Sequence, residues 1–321
     1  KSGRGERRPT RMAMRGVAKS SKESWKIATK RASPILVGSF NGFLSRYWQN
    51  APTARRAMTF LEDQQKDGNL YFDHFAFRTF GVDGCGIDSL GKSLEHFGYE
   101  KRDNLQFEKK KLNAYWFAPP VVELPRIFVS ELKVETFPDE VQAIIRKYTK
   151  QAAPHLDHLF LSGAVGTLPW SVPTEEDYNA LAEVSEYAAW TLANGYSLNH
   201  TTISVHNLSE TNEIDDLVAA LEGQGFRLNS SGGVVKVSPD GGLLQISTLA
   251  DTFPFHFEGK GGGSEGEAVT IPGPYIEFAQ RLVLPEHAHL PASEIQEHHR
   301  RDGFEAGNAD KIFESTMGLA K

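Results

Sequence analysis

The side chains best able to do chemistry sit in three short stretches, "YFDHFAFRTF" (71–80), "NHTTISVH" (199–206) and "YIEFAQR" (275–281). They supply His74, His200 and Glu277. Singly, each has an ordinary explanation: a strand histidine is usually a hydrogen-bonded core residue, and a strand glutamate is usually paired or at an edge. Together, two imidazoles and one carboxylate on rigid strands form a facial triad. That set leaves positions open on a six-coordinate ion and suits non-heme Fe(II), with Mn(II) or another divalent metal as the alternative. A closed structural site would use four protein ligands. Arg78 shares the face of His74 four residues on, about 13 Å along an extended strand. Its planar fork of donors matches a carboxylate, so a short dicarboxylic acid can span from metal to guanidinium. The competing explanation for Arg78 is an ion pair with Asp73 or Asp83; strict alternation puts Asp73 on the opposite face, which favours the substrate role.

Other polar groups rank lower. Gln245 and Ser247 share one face of "LLQISTL" and are candidate hydrogen-bond donors around a bound acid. Glu131, in "FVSELKVE", competes as a fourth ligand, but Lys133 and Glu135 alternate with it, which predicts a solvated face. His155 and His158 have metal-like spacing, yet Pro154 and a loop setting point to capping or packing. His206 is expected to face solvent at a strand end, and the "EHHRR" run (297–301) to be a solvated helix face. Cys85 lies between two glycines as a loop residue. As the sole cysteine, it excludes an internal disulfide and a cysteine-cluster zinc site.

These residues must be held by strands and helices whose signals recur. "SFNGFLSRYWQNAPTARRAMTFLEDQQ" predicts helix over 39–65, with Pro52 opening a second helix. The first chemical strand follows, then a helix with Ile87, Leu90, Leu94 and Phe97 at helical spacing and Gly98 to stop it. "YEKRDNLQF", "KLNAYWFA" and "RIFVSELKVE" read as three strands, giving β-α-β-β-β. Residues 139–196 read as helical, with "HLFLSGAVGTLPWSVP" as a loop and "TEEDYNALAEVSEYAAWTLANG" as one helix. The pattern then returns: a strand, the helix "NEIDDLVAALEGQGF", and strands at "FRLNSSGG", "GGLLQISTL" and "GPYIEFAQRLVL". Asp88, Leu90, Leu94, Glu95, Gly98 and Tyr99 match Asp215, Leu217, Leu221, Glu222, Gly225 and Phe226 at a constant offset of 127. Asp73-His74 matches Asn199-His200 within one residue of it. An internal duplication of this kind closes into a curved sheet with a cleft along the pseudo-twofold, where the repeat-equivalent histidines meet.

The chain of 321 residues carries a net charge of −6, unevenly spread. Residues 1–34 hold eleven Lys/Arg and two Glu, a balance of +9, against −15 for the remainder. A basic, acid-poor leader before an acidic body looks like an organellar transit segment rather than a nucleic-acid arm. No apolar run is long enough to span a membrane. The division expected is a leader over 1–34 outside the fold and a single catalytic domain over 35–321. Within that domain, module one covers about 69–137, a helical insertion about 138–196, module two about 197–284, and a C-terminal segment 285–321.

With these motifs in place, the chain from about residue 40 onward resembles the 2-oxoadipate dioxygenase/decarboxylase family, relatives of the vicinal-oxygen-chelate superfamily. The resemblance rests on "DHFAFRTF", "NHTTISVH", "YIEFAQR" and "RDGFEAGNADKIFEST". It implies an α+β fold of two β-α-β-β-β modules in a curved vicinal-oxygen-chelate-type sheet, with added helices. It also implies Fe(II) on His74, His200 and Glu277, and substrate on Arg78. The implied reaction converts 2-oxoadipate, or a similar 2-oxo dicarboxylic acid, with O2 to 2-hydroxyglutarate and CO2, a step of lysine catabolism. Members of the plant and algal branch are plastid proteins, which agrees with the basic leader. Two other classes stay open: a lyase or isomerase using the metal only as a Lewis acid, and a non-enzymatic plastid binding protein.

Overall fold

The computed structural model describes residues 17–20, 25–66, 68–82, 84–152, 159–259 and 265–316. The chain begins with β1 (Val17–Ser20), β2 (Trp25–Ile27), α1 (Pro34–Asn50) and α2 (Pro52–Glu62). Module one follows as β3 (Leu70–Phe80), α3 (Ile87–His96), β4 (Glu100–Phe107), β5 (Leu112–Ala118) and β6 (Arg126–Leu132). Four helices come next, α4 (Asp139–Ala152), α5 (Leu159–Val165), α6 (Glu175–Val184) and α7 (Glu186–Asn194). Module two is β7 (Leu198–Ser204), α8 (Ile214–Gly223), β8 (Lys236–Val237), β9 (Leu243–Ser247), β10 (Thr252–Glu258), β11 (Glu265–Pro272) and β12 (Tyr275–Arg281). A C-terminal segment with α9 (Ala306–Ile312) closes the chain as described. No helix among the described residues is long and apolar enough to cross a membrane.

The main sheet runs β4-β5-β6-β3-β7-β12-β9-β8 and curls into a half-barrel. Its centre is the antiparallel pair β3–β7, flanked by β6 parallel to β3 and β12 parallel to β7. The two modules therefore meet strand to strand at the pseudo-twofold predicted by the repeat. Pro34 and Pro52 occupy the first turns of α1 and α2, where a missing N–H costs nothing. Behind β3, Phe75 and Phe77 meet Phe40 and Phe43 of α1 edge to face, at 5.8 and 5.0 Å between centroids. This geometry is the preferred one for aromatic quadrupoles, and it fixes the back of the strand whose front carries His74. Gly98 and Gly225 end the paired helices α3 and α8 with φ of 87° and 75°, a conformation that glycine adopts without strain.

The structure departs from the sequence expectations in four places. Trp25 and Ile27, inside the basic stretch expected to stay out of the fold, are buried, and β1 pairs with β3; residues 1–16 and 21–24 lie outside those described. The expected loop after residue 158 contains α5. The single helix expected over 174–195 breaks at Ser185, whose backbone is extended (φ −156°, ψ 107°) and whose hydroxyl accepts from Ala188 N to start α7. Finally, "FRLNSSGG" is not a strand. Asn229 Oδ1 accepts from Ser231 N, and Gly232 and Gly233 take φ of 68° and 98°, so the segment turns. The second strand of that module is β8 instead, and β10–β11 form a separate hairpin that the sequence pattern missed.

Candidate metal centre

His74, His200 and Glu277 converge from β3, β7 and β12, and the three candidate ligand atoms lie within 4.8 Å of one another. Glu277 Oε2 is 3.1 Å from His200 Nε2 and 3.6 Å from His74 Nε2. All three side chains are buried. The strand register brings this about. Glu277 is level with Thr202, and Thr202 with His74; Tyr275 is level with His200, and His200 with Ala76.

Each histidine is aimed by a β-bulge. The β3–β7 ladder skips Asp73 on one strand and Asn199 on the other, so two neighbouring side chains serve the same face. Asp73 Oδ1 thereby reaches His74 Nδ1 at 2.8 Å, and Asn199 Oδ1 reaches His200 Nδ1 at 3.0 Å. This corrects the expectation that Asp73 lies opposite His74. An acceptor on each Nδ1 assigns the proton there and turns the Nε2 lone pair toward the centre. Two such lone pairs then face a carboxylate oxygen in a buried space; the Thr202 hydroxyl reaches His74 Nε2 at 3.0 Å, and a cation between the three donors would relieve the remaining repulsion. The donor set therefore fits a divalent metal.

The electrostatics agree. Despite burial, which alone would raise it, Glu277 is held down at about 2 by His74 and His200. Burial lowers His200, whereas for His74 the neighbouring Glu277 and Asp73 outweigh burial and raise it. Asp73 sits well below the usual carboxylate range because Arg281 and Arg126 overcome its burial. Arg281 grips Asp73 with Nε and Nη2, at 2.6 and 2.9 Å, and Arg126 Nη1 adds a contact at 3.1 Å. Gln245 Nε2 donates to Glu277 Oε1 at 2.6 Å, which leaves Oε2 for the centre. Ser247 is level with Glu277 on the neighbouring strand, but its hydroxyl meets that of Ser315, at 2.9 Å.

The C-terminal segment roofs the cluster. Phe304 stands edge-on to His74 at 4.7 Å, and Phe304, Ile312 and Phe313 help enclose a cavity of about 20 Å³ beside His200, Tyr275 and Glu277. The segment is tied down through Arg126, which also pairs with Asp302 and Glu297, and through Arg281 Nη1 on the carbonyl of Gly303. Sequence reasoning missed Arg126 and Arg281 and named no residue of this roof; the acidic-or-amide residue preceding each histidine was the legible trace of the layer behind them.

Arg78 is buried and does not pair with Asp73. Its Nη1 contacts both carboxylate oxygens of Glu186 at 3.2 Å, its Nη2 donates to Thr316 Oγ1 at 2.9 Å, and its Nε has no partner among the described residues. The break at Ser185 is what sets Glu186 there. A second cavity, about 410 Å³, reaches Arg78 between Lys109–Lys111, residues 182–187 and Phe313.

Other expectations change. Glu131 is half-buried rather than on an open face: its Oε2 accepts from Ile87 N at 2.8 Å, and its Oε1 accepts from Asn113 at 3.0 Å. His206 is covered rather than solvent-facing, with its Nδ1 accepting from Arg281 N. Glu297 of "EHHRR" is paired with Arg126. Cys85 is buried, and burial raises its thiol. His155, His158 and Asp83 lie outside the described residues.

A family model described as 2-oxoadipate dioxygenase/decarboxylase matches residues 45–291. The chain is 48% identical over 302 residues to a chloroplastic 2-oxoadipate dioxygenase/decarboxylase of Arabidopsis thaliana, covering 90% of this chain and 80% of that protein. It superposes on a crystal structure of hydroxyglutarate synthase from Oryza sativa in complex with 2-oxoadipate, with a TM-score of 0.83, 44% identity and 98% of each chain covered. A glyoxalase superfamily protein of Ralstonia eutropha JMP134, at 20% identity with a TM-score of 0.66 and 92% of each chain covered, shares the fold.

Proposed function

Because the chain belongs to the 2-oxoadipate dioxygenase/decarboxylase family, we propose that it converts 2-oxoadipate and O2 to 2-hydroxyglutarate and CO2 at an Fe(II) held by His74, His200 and Glu277. The observation that carries the metal assignment is the buried convergence of those three donors with both Nδ1 atoms already engaged. Fe(II), when bound, supplies the reducing electrons for O2 and a Lewis-acidic anchor for the 2-oxo acid.

The protein's own groups prepare that chemistry. Asp73 and Asn199 fix the imidazole rings, and Gln245 fixes the carboxylate, so the donor atoms need no reorganisation. Phe128, Phe304 and Phe313 exclude water from the reacting end. Arg78 holds the far carboxylate and thereby sets where the oxo-acid end lies. The present cavity beside the triad holds about one water, so substrate binding displaces the aromatic roof toward the larger space by Arg78. The plastid is the proposed location, on the chloroplastic relative and the basic leader.

The test is anaerobic Fe(II) reconstitution followed by O2 uptake with 2-oxo acids of increasing chain length. The expected result is fastest uptake with 2-oxoadipate and none for His74→Ala; metal-dependent turnover without O2 consumption would instead identify a lyase or isomerase.

A further inference from the structure

Among the described residues, the buried donors without a partner on the concave face of the sheet include the Tyr275 hydroxyl and the Arg78 Nε. Tyr275 is 0% exposed. Its ring stacks on His200 at 4.7 Å and 28°, and its carbonyl accepts from the Tyr47 hydroxyl, so its position is fixed from two sides. It lines the small cavity together with His200 and Glu277.

The register gives its direction. Glu277, Thr202 and His74 make one row across the sheet; the next row holds Tyr275, His200 and Ala76; Arg78 stands one same-face residue beyond Ala76. Tyr275, level with His200, is thus one row nearer Arg78 than Glu277 and His74 are. Among the described residues, Nη1 of Arg78 is committed to Glu186 and Nη2 to a hydroxyl of the roof, which leaves the Nε edge for a ligand. Phe313 flanks both the cavity and the guanidinium, at 6.0 Å from the latter, so its displacement opens both donors to one molecule.

We propose that Tyr275 is a specificity-determining residue whose hydroxyl, together with Arg78 Nε, donates to the far carboxylate of the bound 2-oxo dicarboxylic acid. A long arginine alone defines a charge to be met. A ring clamped on His200 adds a fixed distance from the metal, and so selects chain length. Buried donors built to meet a substrate oxygen reject analogues lacking it, because those donors are then left unpaired. The inference rests on the function proposed above.

Anaerobic calorimetric titration of the Fe(II)-loaded protein tests it, comparing 2-oxoadipate with 2-oxohexanoate, which has the same chain without the far carboxylate. Tyr275→Phe is expected to weaken 2-oxoadipate by about tenfold or more and to leave 2-oxohexanoate unchanged. Without metal or ligand, the variant is expected to melt at or above the wild type, because an unpaired buried hydroxyl has been removed. Equal weakening of both acids would place the hydroxyl at the oxo-acid end and overturn the proposal. So would unchanged 2-oxoadipate affinity, or a lowered melting temperature, which would reveal a partner in the resting protein. A wild type that binds the two acids equally would overturn the far-carboxylate reading itself.

Discussion

The two modules share a scaffold but divide the work, and the division follows the faces of the sheet. On the face toward the helices, equivalent residues do the same job. Glu131 and Gln280 each lie five residues past the one level with their module's histidine. Each accepts from the first N–H of the following module helix, Ile87 N and Ile214 N, at 2.8 Å in both cases. On the concave face the equivalents differ. Glu277 stands where module one has Phe128, Asn199 where module one has Asp73, and Tyr275 where module one has Arg126. One half supplies the carboxylate of the cluster, and the other supplies the carboxylate behind its histidine, held by Arg126 of its own half and Arg281 of the other. Folding constrains the helix-facing positions alike in both halves, whereas a single ion and a single substrate need an asymmetric front.

The strongest test exchanges the twins at the carboxylate row. Glu277→Ala is expected to lose both bound metal and O2 uptake, while Phe128→Leu keeps its metal content as read by elemental analysis. Equal metal loss in the two would break the comparison. The layer behind the histidines comes next. Asp73→Asn leaves Arg126 and Arg281 short of counter-charge and is expected to cost about 3–5 kcal/mol in urea unfolding, with metal affinity about 10–100-fold weaker. Asn199→Ala removes one hydrogen bond and is expected to cost about 1 kcal/mol. The smallest effects belong to the shared job. Glu131→Ala and Gln280→Ala are each expected to cost about 1 kcal/mol, as for other helix-start acceptors, without altering metal binding. A change in metal content for either would show that the back of the sheet is not merely structural.

The triad was legible because it rests on two patterns that survive without coordinates, a repeat and strand alternation. Those tools failed where the chain departs from regularity. Alternation put Asp73 behind the sheet, because one bulged residue shifts a side chain from one face to the other. Matching the last strands by their glutamates made Glu131 the rival of Glu277, when the register pairs Glu277 with Phe128. Arg78 was correctly set on the face of His74, but its resting partner Glu186 lies 108 positions away on a helix whose start was hidden inside a longer helical pattern.

By itself the sequence determined which residues could bind a metal and that they belong to a duplicated α+β module, because residue type, period and offset are local or repeating properties. The tertiary structure alone decided the rest. It chose the bulges that turn both Nδ1 atoms away from the centre, the Asp73–Arg126–Arg281 layer that ties the roof to His74, and the pairing of Arg78 with Glu186. Each of these joins residues far apart in the chain, and the energy of a buried charge or an aimed imidazole depends on what the folded chain brings against it.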